Sequence, residues 1–167
     1  MRRLTIALVG LVLAGAAAGI WACGSSSNSP STSVVYTVQL LPSNEAPTPV
    51  TDSEAVARGT AVITIHKDSN TVDFAVSVNS FPPGSSLIAA HIHGPNAPAG
   101  VAAAVLVGTG LAPGNAPSLV NGAATFNFNG VGADAGVISQ IIASPSTFYF
   151  NVHSAQHPGG VMRGQLQ

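Results

Sequence analysis

The sequence predicts an all-β domain, a two-sheet sandwich or a barrel of about eight short strands with one short helix. Three observations lead there. Runs of four to nine residues rich in Val, Ile, Thr, Phe and Tyr alternate apolar with polar positions. Clusters of Gly, Pro, Asn and Ser separate them, the residues that turns require. One segment alone carries apolar residues at helical spacing.

The first expected strand is 34–41 (VVYTVQLL), and the second, 55–66, contains the alternation Ala61-Val62-Ile63-Thr64-Ile65. The cluster Lys67-Asp68-Ser69-Asn70 then turns the chain into a third strand, 71–78, so the two runs read as a hairpin. Phe81-Pro82-Pro83-Gly84 breaks the chain before a fourth strand, 87–93, which Gly94-Pro95 ends. Further strands are expected at 102–107, at 123–128 with Phe126 and Phe128 on one face, at 147–153 and at 161–166. Between the sixth and seventh, residues 134–143 place Val137, Ile138, Ile141 and Ile142 on one helical stripe, and Ser144-Pro145 stops it. No repeat of fixed period is present.

Ahead of the domain stands an export signal. Arg2 and Arg3 give a basic start, and 4–22 is apolar or small with no charge. Its 19 residues are also just long enough to span a bilayer, the alternative to a cleaved signal. The ending Ile20-Trp21-Ala22-Cys23 resembles the lipobox of bacterial lipoproteins, with Trp21 in place of the usual small residue. That resemblance implies a signal peptide over 1–22, cleavage before Cys23 and a lipid, palmitate included, on Cys23. Cys23 is the only cysteine, and acylation accounts for an unpaired thiol in an exported chain. Gly24 after the cysteine, rather than aspartate, implies passage to the outer membrane where a cell has two. Residues 23–33, mostly Ser, Asn, Thr and Pro after Gly24, read as a flexible tether, and 34–167 as the folded domain.

Beyond residue 22 the chain has three basic residues (Arg58, Lys67, Arg163) against six acidic ones, a formal charge of −3. That excludes a basic nucleic-acid surface and a polybasic lipid patch, leaving the N-terminal lipid as the expected membrane attachment. No Gly-x-Ser-x-Gly elbow, phosphate-binding Gly loop, haem-attachment motif or spaced carboxylate pair is present, so common hydrolase and nucleotide chemistry is unsupported.

The five histidines hold the remaining chemistry. His91 and His93 are two apart on one expected strand and so share a face. His153 closes another strand. A His-x-His pair with a distant third imidazole is a way to build a metal site on a sheet, and neutral imidazole suits copper or zinc. The alternative is that the three hydrogen-bond loop carbonyls. His66, beside Lys67 at a hairpin edge, is expected to be solvated. His157 lies in the loop Gln156-His157-Pro158-Gly159, as a surface residue or an accessory ligand.

Ala90-His91-Ile92-His93-Gly94-Pro95 resembles a signature of the CHRD domain, named from chordin. So do Phe150-Asn151-Val152-His153-Ser154 and the closing Pro158-Gly159-Gly160-Val161-Met162-Arg163-Gly164-Gln165-Leu166. Asn44-Glu45-Ala46-Pro47 and Gly59-Thr60-Ala61 fit its opening. Met162 stands where the family has Glu, and Ser154 where it has Thr. The pattern is also similar, more weakly, to copper–zinc superoxide dismutases, which are Greek-key sandwiches. There His91, His93 and His153 match three copper ligands and Arg163 an active-site arginine. The paired cysteines, the bridging histidine and the zinc loop have no counterpart. These resemblances imply a Greek-key-like two-sheet sandwich. They leave three functional readings: a non-enzymatic envelope binding module with a three-histidine copper (or zinc) site at one end of the sandwich, a dismutase-like copper redox protein, and a structural or adhesive module without metal.

Overall fold

A computed structural model describes residues 32–167, and Ser31–Gln167 forms one compact unit. The signal peptide, Cys23 and nearly all of the expected tether lie outside the described residues. Among the described residues, eight strands form two four-stranded antiparallel sheets, with one α-helix. The strands are β1 (Ser33–Leu40), β2 (Arg58–His66), β3 (Thr71–Asn79), β4 (Leu87–His93), β5 (Val105–Gly108), β6 (Ala124–Gly132), β7 (Tyr149–Ser154) and β8 (Met162–Gln165); the helix is α1 (Ala135–Ala143). One sheet has the order β1-β2-β3-β6 and the other β5-β4-β7-β8. The pairings of β3 with β6 and of β4 with β7 are crossovers of the Greek-key kind, in which the chain leaves a sheet and returns beside an earlier strand.

The period of two sorts each strand. On β2 and β3, Ile63, Ile65, Val72, Phe74 and Val76 are buried between the sheets, and Ile92, Phe150, Val152 and Met162 face them from the second sheet. Phe74 and Phe150 stack across the gap at 5.6 Å. Each such side chain contributes roughly 1.5–3 kcal/mol by leaving water. At one corner β8 runs against β1, and a Cβ on Gly164 would lie 2.1 Å from the Gln39 carbonyl oxygen, so only glycine fits there.

The helix forms as its spacing predicts. Asp134 caps it by accepting from the Gly136 and Val137 N–H groups, and Ile138 and Ile141 are its buried stripe. β2 and β5 each start three residues later than expected. Residues 53–56 form a 3-10 turn because the Asp52 carboxylate accepts from the Glu54 N–H. Residues 102–104 are loop because their polar groups serve side chains instead of a ladder: the Ala103 carbonyl takes His93, and its N–H goes to the Tyr149 hydroxyl.

Candidate metal centre

Because Ile92, Phe150, Val152 and Met162 point into the core, their neighbours point the other way. The outer face of the β5-β4-β7-β8 sheet therefore carries His91 and His93 from β4, Tyr149, Asn151 and His153 from β7, and Arg163 from β8. His91 pairs with Asn151 across the ladder, His93 with Tyr149, and Asn151 with Arg163 on the far side. His153 lies two residues along from His91's partner, the diagonal that long side chains bridge.

Three imidazoles meet on this face. One ring nitrogen from each of His91, His93 and His153 lies within 4.8 Å of the others. Ring centroids are 4.9 Å apart for His91–His153, 5.6 Å for His91–His93 and 5.9 Å for His93–His153. The cluster sits on the outer face of the second sheet, with His93 the last residue of β4 and His153 next to last in β7.

The loops decide which nitrogens are free. His93 Nδ1 lies 3.0 Å from the Ala103 carbonyl oxygen, and His153 Nδ1 lies 3.0 Å from that of Pro158. A carbonyl only accepts, so both Nδ1 atoms carry the proton and both Nε2 atoms keep a lone pair. His153 Nε2 faces His91 Nδ1 at 3.2 Å. His93 Nε2 is buried with no partner. A buried lone pair without a donor is costly, and a cation meeting it together with two further imidazole nitrogens removes that cost. Ligands around a copper or zinc ion at about 2.0–2.1 Å are themselves roughly 3–4 Å apart, within reach of this cluster.

Electrostatics keep the rings neutral. Burial, joined by His153 and then His93, pushes His91 down to about 4. Burial also lowers His93 and His153, against the opposing pull of the Ala103 and Pro158 carbonyls. Neutral imidazole is the form a metal takes.

Surrounding groups hold the cluster. Tyr149, on the strand between β4 and β8, stacks on His93 (4.7 Å, 2° between planes) and carries the Arg163 guanidinium 4.1 Å over its ring. Arg163 is 1% exposed and donates to the Val101 carbonyl. Loop 94–104 is thus tied down by His93, Tyr149 and Arg163 together. Loop 155–160 presents Pro158 and is tied by His157, whose Nε2 lies 2.9 Å from the Asp52 carboxylate. His157 is therefore turned to Asp52, outside the three-histidine cluster. His66, expected to be solvated, is half-buried between Asp73 (2.8 Å) and Ser33 (3.1 Å), also apart from the cluster.

Tyr149, Asn151 and Glu45 were not singled out as site residues from the sequence. The first two were legible, since the same period that pairs His91 with His93 puts Tyr149, Asn151 and His153 on one face. Glu45 comes from a loop, and no periodicity places it. It is 6% exposed, and burial raises its carboxyl to about 7, against Arg163, the Ala46 N–H and Asn151.

The CHRD domain family matches residues 36–166 of the chain, nearly all that the structure describes. The chain belongs to the CHRD domain family. The motifs that carry the histidines are the strands that build this face, so the family pattern and the cluster are one feature of the fold. No curated protein and no solved structure matches the chain.

Proposed function

We propose that this CHRD domain is a non-enzymatic, lipid-anchored module of the bacterial envelope that binds copper through His91 Nδ1, His93 Nε2 and His153 Nε2. The observation that carries the reading is the pair of backbone carbonyls. Ala103 and Pro158 each fix an Nδ1–H tautomer, which leaves both Nε2 lone pairs free and turns that of His153 to His91. Carbonyl partners of this kind orient ligating histidines in metal sites generally. Copper is expected ahead of zinc because nitrogen donors follow the Irving–Williams order. A metal on His91 Nδ1 would shift that ring's proton to Nε2, so no charge would be left behind. Arg163 supports binding over dismutation. Its guanidinium is spent on the Tyr149 ring and Val101, with Tyr149 between it and His93. Anchoring rests on the basic start, the apolar run and the lipobox-like ending at Cys23.

The test is calorimetric titration of the tag-free domain, residues 31–167, with Cu(II) and with Zn(II). One copper per chain, bound more tightly than zinc, is the expected result. Affinity no better than about 1 mM for either ion would reject the site and leave the histidines as loop organisers.

A further inference from the structure

The histidine cluster brings no negative charge to a bound ion. Its members are His91, His93 and His153, with no Cys, Asp or Glu among them. Two of the rings, His93 and His153, are more than nine-tenths buried. A cation already stands beside them. The buried Arg163 guanidinium lies 4.1 Å over the Tyr149 ring, and the other partner of that ring is His93, stacked at 4.7 Å. The ion pairs among the described residues are His66–Asp73, His157–Asp52 and His157–Glu54, so this guanidinium has no carboxylate within 4.0 Å. Glu45, the acid that acts on it, is kept largely protonated below pH 7 by burial. The field of Arg163 therefore reaches His93, where it opposes a proton on the ring and opposes a metal cation for the same reason.

We propose that this centre, on the reading that it binds copper, selects Cu(I) over Cu(II), and that Arg163 strengthens the preference across Tyr149. Charge is the first argument. The cost of taking an ion out of water rises with the square of its charge, so a divalent ion costs about four times as much to bury as a monovalent ion of the same size. A carboxylate or thiolate ligand would offset the second charge, and the cluster contains neither. Repulsion from Arg163 is also twice as large for Cu(II). Ligand number is the second argument. Cu(II) favours a tetragonal set of nitrogen and oxygen donors. Three imidazoles with no acidic side chain among them make a three-coordinate set instead. Cu(I), with a filled d shell, has no such geometric demand. The two arguments act on the same ion, and both disfavour Cu(II).

The test is a pair of competition titrations of the tag-free domain at pH 6.5 without oxygen. Cu(I), kept reduced by ascorbate, is competed against bathocuproine disulfonate, and Cu(II), without ascorbate, against nitrilotriacetate. Cu(I) is expected to bind at least about tenfold more tightly, which places the bound couple about 60 mV or more above the aqueous one. Arg163→Gln should narrow the ratio at least about threefold by tightening Cu(II) more than Cu(I). A residue that only supports the fold would weaken both ions alike and leave the ratio unchanged. In the wild-type protein, Cu(II) bound within tenfold of Cu(I) overturns the proposal while copper binding itself stands. Binding of neither ion rejects the site and the proposal together. An unchanged ratio in folded Arg163→Gln overturns the part given to Arg163. The wild-type ratio decides the selectivity even where that variant fails to fold.

Discussion

The Nδ1 of His91 lies 3.2 Å from the Nε2 of His153, although 62 residues separate them in the chain. Antiparallel pairing of β4 with β7 makes the contact, and the Pro158 carbonyl sets its polarity by holding the proton on His153 Nδ1. The cluster therefore depends on two loops as much as on two strands, and the predictions below separate those contributions.

Replacing His91 and His93 together by Ala should lower copper affinity by at least about a hundredfold, since two of three nitrogen ligands go. His66→Ala should leave affinity unchanged, because that ring is engaged with Asp73 and Ser33 elsewhere on the domain. Competition titrations with a copper chelator measure both. Equal losses in the two variants would show that copper binds without selectivity to surface imidazoles.

Gly160 has a φ of +134°, and a Cβ on it would lie 2.5 Å from Asn151 Nδ2 and 2.7 Å from Glu45 Oε2. Gly160→Ala should therefore destabilise the domain by about 1–3 kcal/mol through backbone strain and displacement of buried polar groups. It should also weaken copper binding, because Pro158 in the same loop orients His153. Urea unfolding gives the first effect and copper titration the second. Wild-type stability in this variant would mean that the loop is not packed on Asn151 as described.

Glu45 and the cluster histidines should give stability opposite pH slopes over nearly the same range. Glu45 is raised from 4.5 to about 7, so the native state holds its proton longer than the unfolded chain. Its contribution is present below 4.5 and is lost as pH rises through about 7. His91 is lowered from 6.5 to about 4, so its contribution is present above 6.5 and is lost as pH falls through about 4. Metal-free wild-type protein should show the two partly cancelling. Glu45→Gln should give a stability that rises more steeply with pH than wild type, and His91→Asn one that rises less steeply, because His93 and His153 are lowered as well. Urea midpoints between pH 4.5 and 7.5 measure this, and parallel profiles in the two variants would contradict the assignments.

Cys23→Ala should abolish incorporation of labelled palmitate in the producing cell, because the thiol is the acylation point that the lipobox-like ending implies. Label retained in the variant would place any lipid elsewhere.

How far the sequence foretold the structure differs between strands and loops. The alternation on β2 and β3 and the turn at Lys67–Asn70 are local signals, and the hairpin formed where they placed it. The helical stripe with its Asp134 cap was local too. His91 and His93 shared a face by the same period, but their meeting with His153 depends on β4 pairing with β7 across the intervening chain, which no spacing encodes. The start of β5 was misplaced because Ala102–Ala104 look like a strand, while their backbone is claimed by His93 and Tyr149. Glu45 and Arg163 come together through the β8 corner, where Gly164 permits an approach that composition alone does not show.

The most direct measurement is anomalous diffraction at the copper edge from crystals of the tag-free domain equilibrated with Cu(II). The account predicts one strong peak, about 2.0–2.1 Å from His91 Nδ1, His93 Nε2 and His153 Nε2, with the Ala103 and Pro158 carbonyls still on the Nδ1 atoms of His93 and His153. Copper only at His66 or His157, or no peak in a domain with the three imidazoles in place, would contradict it.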